Sequence, residues 1–226
     1  MTPTSSVTQA SPRELVLYAY WRSSASYRVR LALAAKRLPH RVVPVNLLTA
    51  EQSAEPHLER SPTGYVPALV IDGVAFFESI AIIELLDELY PEPALFPTDP
   101  FARCRVRALV EIVNAGIQPL QNLNVTKRVD AAHRDEWIQH YIHKGLAAFE
   151  RAMGVNEAAG FTGDFAFGAS LTAADLVLLP QLTAARRFKA DLTPFPRILR
   201  AEKSALAVPG LDAAAPARQP DAVVAG

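Results

Sequence analysis

The chain has 226 residues, of which half are hydrophobic, and its 23 basic and 23 acidic side chains leave no formal net charge. This balance gives no reason to expect a general attraction to nucleic acid or to an anionic membrane. Cys104 is the only cysteine, which excludes an intrachain disulfide, a dithiol redox site and a cysteine-rich zinc site, and which is typical of a protein in a reducing cytoplasm.

The first ninety residues alternate strand and helix patterns. Residues 1–14 are rich in Thr, Ser and Pro, lack the apolar core of a secretory signal and are expected to be a flexible tail. The β-α-β-α-β-β-α order that follows is that of a thioredoxin-like α/β domain over residues 15–90. Its predicted elements are strands at Leu15–Tyr20, Arg41–Val45, Ala68–Ile71 and Val74–Phe77, a helix after Ser24, a short helical stretch around Gln52–Glu59 and a helix from Ser79, with a hairpin at Asp72-Gly73.

The second half of the chain reads as helical. The closely spaced prolines of residues 91–100 predict a linker, because so many prolines exclude any regular element. Residues 101–212 are expected to form an all-α domain with helices at Ala102–Val113, Arg134–Met153 and Ala173–Ala185, and Thr172 with Asp175 resembles a capping box. The Ala- and Pro-rich residues 213–226 are expected to be a loose C-terminal tail without chemistry. No segment is long enough to span a membrane, and the five histidines form no ligand-like cluster, so no metal is expected.

The segment Arg22–Arg28 places two hydroxyls, those of Ser23 and Ser24, where an apolar strand turns into a helix. Amides at a helix start have no intrahelical partner, and the helix dipole adds positive charge, so a thiolate or carboxylate would be stabilised there. Taken alone, either serine could equally be an ordinary helix cap.

This segment resembles the Ser-Ser-Cys-x-x-Arg-Val-Arg signature of the zeta-class glutathione transferases and maleylacetoacetate isomerases, with Ala25 in place of the cysteine. Further matches follow in chain order: Tyr65–Leu69 is similar to the family's Val-Pro turn and Glu78–Glu84 to its glutathione-binding helix start. The strings at Gly116–Leu123 and Arg187–Pro194 are more specific to this family.

The resemblance implies a glutathione transferase fold, with glutathione as cosubstrate, and a cytoplasmic homodimer. It implies a cis Val66–Pro67 bond that presents the Val66 backbone to the cysteinyl part of glutathione. Glu78 and Ser79 would hold the γ-glutamyl end, and Ser23 would activate the thiol. The residues expected to contact glutathione are Ser23, Ser24, Gln52, Val66, Pro67, Glu78, Ser79 and Gln121. Gln52 and Gln121 could equally be solvent-facing amides, and Pro67 an ordinary trans turn proline.

The resemblance further implies cis–trans isomerisation of a maleyl acid, with Arg22 and Arg187 on the substrate carboxylates and Ser23 and Arg187 as catalytic residues. Lowering a thiol pKa by about two units requires roughly 2.7 kcal/mol of thiolate stabilisation. One hydroxyl hydrogen bond, at about 1.5–3 kcal/mol, and a helix terminus, at about 0.3–1 kcal/mol, suffice without a cysteine at Ala25. Two alternatives remain: conjugation or dehalogenation of other small electrophiles, and a non-catalytic glutathione-binding protein.

Overall fold

A computed structural model describes residues 13–222. Its first half is built on a four-stranded mixed sheet with the order β2-β1-β3-β4. The central strand β1 pairs in parallel with β2 and antiparallel with β3, and Leu17 lies opposite Val42 on one side and Leu69 on the other. The strands are β1 (Leu15–Ala19), β2 (Arg41–Pro44), β3 (Ala68–Ile71) and β4 (Val74–Phe77). All four predicted strands are confirmed, two of them one residue shorter than expected.

Local chemistry explains the turns and helices of this half. Asp72 and Gly73 both have positive φ, at 49° and 85°, as the tight hairpin between β3 and β4 requires. The helices are α1 (Ser24–Ala35), α2 (Glu55–Leu58) and α3 (Ser79–Leu89), and a 3₁₀ turn at Glu51–Ser53 precedes α2. The predicted thioredoxin-like order is therefore present, and the stretch around Gln52–Glu59 is two short pieces instead of one helix.

The proline-rich segment predicted as a linker is irregular from Pro91 to Asp99, whereas Pro100 already begins a helix. The irregular part is held tightly. The Asp87 carboxylate accepts from the amides of Leu95 and Phe96 over 2.8 and 3.2 Å and from the Lys36 ammonium over 2.8 Å. Both charged side chains are nearly inaccessible to solvent. Because a buried carboxylate must be satisfied, this network ties the linker to α1 and α3.

The rest of the chain is mostly helical. Its helices are α4 (Pro100–Asn114), α5 (Gln118–Gln121), α6 (Leu123–Thr126), α7 (Arg134–Ala158), α8 (Ala173–Arg187) and α9 (Pro196–Leu206). The capping box of Thr172 and Asp175 at the start of α8 is confirmed. Helix α8 is buried on almost every side and packs against both α1 and α4, so it joins the two halves of the molecule. No helix between residues 13 and 222 combines the length and apolar character needed to cross a bilayer.

The C-terminal residues 213–222 differ from the expected loose tail, and residues 223–226 of that tail lie outside the described part of the chain. Residues Leu211–Ala214 and Pro216–Arg218 form 3₁₀ turns, Leu211 and Ala214 are buried, and the first of these turns packs on α1. The segment is rich in Ala and Pro and has no helical periodicity, which is why the sequence pattern did not indicate this docking. At the other end, the expected flexible tail of residues 1–14 lies outside the described residues except for Arg13 and Glu14, which bond to Asp72.

Candidate active site

Ser23 is the residue that precedes α1, after the turn Tyr20–Arg22. Its amide donates to the Tyr20 carbonyl over 3.0 Å, and its hydroxyl accepts from the Ser26 amide over 3.2 Å. Ser23 therefore caps the helix. A hydroxyl that accepts through a lone pair can still donate its proton, so capping leaves the Ser23 O–H group free for an anion.

Two further donors lie at the same helix start. The amides of Ser24 and Ala25 bond to no other residue between 13 and 222, because the first turn of a helix has no preceding carbonyl to accept them. Together with the helix dipole and the Ser23 hydroxyl, they give this end of α1 the character of an anion site.

The turn before β3 lies beside this helix start. Val66 packs with Tyr20 and Val45 in a small buried cluster, and the Val66–Pro67 bond is cis, as expected. Neither the amide nor the carbonyl of Val66 has a hydrogen-bond partner in the described part of the chain. Because buried backbone groups are normally paired, a free donor and acceptor on one residue suit a peptide-like ligand.

The start of α3 is a second anion site. Glu78, exposed and with a φ of 67°, precedes the helix without capping it, so the first amides of α3 have no side-chain acceptor. A non-glycine residue with positive φ is uncommon and often marks a functional position. Ser79 is buried, and its hydroxyl accepts from Arg28 over 3.3 Å, which leaves its proton free to donate to a carboxylate.

Arg28 connects the two helix starts, and the sequence interpretation did not include it. Its guanidinium is buried, bonds to Ser79 and, over 2.8 Å, to the Asn114 side-chain oxygen, and leaves its Nε atom without a partner. Burial lowers the pKa of Arg28 to about 10, against the opposing attraction of Glu111 and Glu78, so the group stays charged at neutral pH. The signal for it in the sequence was an arginine on the buried face of a helix that is otherwise largely apolar there.

The two predicted glutamine contacts have different surroundings. The Gln52 side-chain oxygen is buried without a partner, as a group awaiting a ligand would be. Gln121 is buried and forms a reciprocal pair with Gln181 of α8, with amide hydrogen bonds of 3.0 and 3.1 Å. The pair excludes the alternative of a solvent-facing Gln121 and leaves one N–H of each amide for other partners.

Arg22 and Arg187 come from different halves of the chain. Partial removal from water lowers the pKa of Arg187, and the positive charge of Arg22 lowers it further, so the two guanidinium groups lie within electrostatic reach of each other. Neither forms an ion pair with a carboxylate of residues 13–222. Two such cations within electrostatic reach of each other, one of them adjacent in sequence to the start of α1, can bind a ligand with two carboxylates.

Comparison with known proteins identifies the relatives of this chain. Residues 17–94 match the family model described as glutathione S-transferase, N-terminal domain. The maleylacetoacetate isomerase of Rhizobium meliloti is 44% identical over 211 residues, which cover 91% of this chain and 97% of that protein. The structure of a bacterial zeta-class maleyl pyruvate isomerase superposes with a TM-score of 0.86 at 37% identity and covers 92% of this chain and all of that one. A second structure is that of maleylacetoacetate isomerase from Anaeromyxobacter dehalogenans with dicarboxyethyl glutathione and citrate bound in its active site. It superposes with a TM-score of 0.82 at 42% identity and covers 94% of this chain and 96% of that one.

Proposed function

We propose that this chain, which belongs to the zeta class of the glutathione S-transferases, is a glutathione-dependent cis–trans isomerase of maleyl acids. The observation that carries the proposal is a pair of cations without ion-pair partners among residues 13–222: Arg22, which immediately precedes Ser23, and Arg187, which lies within electrostatic reach of Arg22. The ligand of the Anaeromyxobacter relative, dicarboxyethyl glutathione, combines the two groups that these features suit, a glutathionyl sulfur and two carboxylates.

Glutathione fits the unsatisfied polar groups of the site. The free amide and carbonyl of Val66 match the backbone of its cysteinyl residue, and the start of α3 with Ser79 matches its γ-glutamyl carboxylate. Exposed Glu78 can pair with the α-ammonium group, and the buried Gln52 oxygen can accept from a ligand amide. With these anchors the thiol would lie toward Ser23, with Ser24 and Pro67 lining its approach.

When bound, glutathione supplies a thiolate that adds to the cis double bond. The single bond so formed rotates freely, and the thiolate then leaves to give the trans isomer. The Ser23 hydroxyl donates a hydrogen bond to the sulfur, and this bond keeps the thiol ionised near neutral pH. Arg187 and Arg22 hold the substrate carboxylates and offset the negative charge that builds up during addition. Glutathione is released unchanged, so the reaction consumes none.

Ala25 bears on the alternatives. The family's cysteine would lie at the second residue of α1, beside the Ser23 hydroxyl, and Ala25 brings no polar or polarizable group there. The amides at the start of α1 and the Ser23 hydroxyl do not depend on the side chain at position 25, so thiol activation does not require the cysteine. Conjugation of other electrophiles would use the same sulfur but would not need two arginines for substrate carboxylates.

We also propose a cytoplasmic homodimer. A single exposed cysteine, Cys104, suits a reducing compartment. Large apolar side chains are exposed at the β3–β4 hairpin and at the start of α4, where Val74 is 58% and Phe101 79% accessible, and these can be covered by a second copy. Formal neutrality supports neither nucleic acid nor an anionic membrane as a partner.

The test is an isomerisation assay with maleylacetoacetate and maleylpyruvate, with and without glutathione, in which the total thiol is followed in parallel. We expect conversion only with glutathione and a constant amount of free thiol. Loss of one thiol per turnover would favour the conjugating alternative. Glutathione binding without conversion of either acid would favour the non-catalytic one.

A further inference from the structure

The C-terminal segment bonds to the turn that carries Arg22 and immediately precedes Ser23. The Asp221 carboxylate accepts from the Trp21 amide over 3.0 Å, across 200 residues of sequence. Seven residues earlier, the buried Ala214 offers its carbonyl to the Arg30 Nε atom over 2.9 Å. The C-terminal segment of residues 211–222 therefore lies against both the turn Tyr20–Arg22 and the helix that follows it.

Arg30 completes the connection from inside the protein. It is 2% exposed, and its two terminal nitrogens donate to the carbonyls of Tyr20, over 3.4 Å, and Trp21, over 2.9 Å. Burial lowers the pKa of Arg30 to about 10, and Asp221 is the strongest charge that opposes this lowering. A buried guanidinium without a directly bonded carboxylate is costly, so its contacts with this turn need an explanation beyond simple packing.

We propose that Asp221 and Arg30 are positioning residues, which together clamp the turn Tyr20–Arg22 and so set the placement of Arg22 and Ser23 toward their ligands. The inference rests on the proposed function for the identity of those ligands. It assigns a role in the active site to the last residues of the described chain.

The hydrogen bonds show how the clamp reaches the site. Trp21 is held through both its amide, by Asp221, and its carbonyl, by Arg30, and Arg22 is the next residue. The Tyr20 carbonyl that Arg30 contacts is also the acceptor of the Ser23 amide. Loosening the bond to Asp221 frees the peptide group before Trp21, and loosening the bond to Arg30 frees the one after it. Small displacements of positioned groups cost rate strongly.

The experiment compares full-length Asp221→Ala with Asp221→Asn and with Asp212→Ala. Asp212 is exposed in the same segment and its side chain bonds to no described residue, so its replacement is the matched control. Asparagine keeps an acceptor for the Trp21 amide but removes the charge. Three quantities are measured: thiolate absorbance of bound glutathione against pH, kcat and KM for a maleyl acid, and the melting temperature.

We expect Asp221→Ala to raise the pKa of bound glutathione, to raise KM for the maleyl acid and to lower kcat/KM about tenfold, with Asp221→Asn intermediate and Asp212→Ala unchanged. Glutathione affinity should change less than kcat/KM does, because Ser79, at the proposed γ-glutamyl anchor, bonds to Arg28 and not to the clamp. A lower melting temperature with an unchanged thiol pKa and kcat/KM would show a purely structural role and would overturn the proposal.

Trp21 provides a readout that needs no substrate. The chain has two tryptophans, so a Trp137→Phe background leaves Trp21 as the only one. In that background Asp221→Ala should shift the Trp21 emission, and Asp212→Ala should not; no shift would overturn the clamp. If wild type fails to isomerise maleyl acids while the emission and thiol pKa still respond to Asp221→Ala, the proposed function fails and the clamp stands.

Discussion

The Arg28 guanidinium donates to the Ser79 hydroxyl over 3.3 Å, so a fully buried cation lies directly beneath the start of α3. No carboxylate of residues 13–222 forms an ion pair with it. A buried charge without a directly bonded carboxylate destabilises a protein, although Glu111 and Glu78 attract this one from a distance. It lies where the γ-glutamyl carboxylate of glutathione is proposed to bind. Ligand binding would supply the missing negative charge.

Replacement of Arg28 should therefore weaken glutathione binding without lowering the thermal stability of the protein. Arg28→Met removes the charge at similar length, and we expect glutathione to bind about tenfold more weakly, a loss of about 1.4 kcal/mol. The melting temperature of the ligand-free protein should stay the same or rise, because the desolvated charge is gone. Calorimetry and thermal unfolding measure the two effects, and unchanged affinity would remove Arg28 from the glutathione site.

Ser23 has a structural role as a cap and a proposed catalytic role, and two variants distinguish them. Ser23→Ala should lose about 1 kcal/mol of stability, whereas Ser23→Gly should lose only a few tenths, because glycine is tolerated at this position of a helix. Both lack the hydroxyl, so both should raise the pKa of bound glutathione and cut turnover about 10²-fold, or about 3 kcal/mol.

The measurement for Ser23 is thiolate absorbance titrated against pH, with turnover at fixed pH. Cys104→Ala is the control, since that thiol is exposed on α4, and it should be nearly silent. If activity followed helix stability, with Ser23→Gly close to wild type, the hydroxyl would be a cap only.

Arg187→Ala should raise KM for a maleyl acid and lower kcat/KM by about 10–100-fold, or about 1.4–2.8 kcal/mol, with glutathione affinity nearly unchanged. Lysine should rescue only in part, because it keeps the charge but loses the bidentate fork. Arg186→Ala is the matched control: it lies one residue away on α8 but pairs with Glu202. The measurement is steady-state kinetics in which the maleyl acid and glutathione are varied separately. Equal effects of the two alanine variants would argue against a role for Arg187 in substrate binding.

Asp175, in the capping box of α8, should make stability depend on pH. Burial raises its pKa to about 6, against the lowering effect of its hydrogen bonds from Ala166 and Thr172. An unfolded aspartate ionises near pH 4, so between about pH 4 and 6 the folded protein retains a proton that the unfolded chain has lost. Stability from this group is therefore complete below pH 4 and falls as the pH rises to 6.

Asp175→Asn removes the titration, so the difference in unfolding free energy between wild type and variant should change by up to about 3 kcal/mol across this window and stay constant above it. Denaturant unfolding at a series of pH values measures it. Parallel curves from pH 4 to 7 would contradict the raised pKa.

Much of this architecture follows from chemistry that acts over a few residues. Apolar runs specify the four strands, Asp72-Gly73 specifies the hairpin, and Thr172 with Asp175 specifies the start of α8, because turns and caps bond within their own segment. The motifs at Ser23, Val66-Pro67 and Ser79 are local in the same sense, so the sequence located them and the structure supplied their geometry.

The roles of the buried polar groups depended on packing. Arg28 could be recognised as a partner of Ser79, and Gln121 as a partner of Gln181, only when α1 met α3 and α5 met α8. Asp221 is the clearest case, because an aspartate at the end of an Ala- and Pro-rich segment has no local signal, and its bond to Trp21 joins residues 200 apart. Sequence patterns reflect interactions between residues that are close in the chain. A buried charge or amide gains its partner only when elements that are distant in the chain pack together.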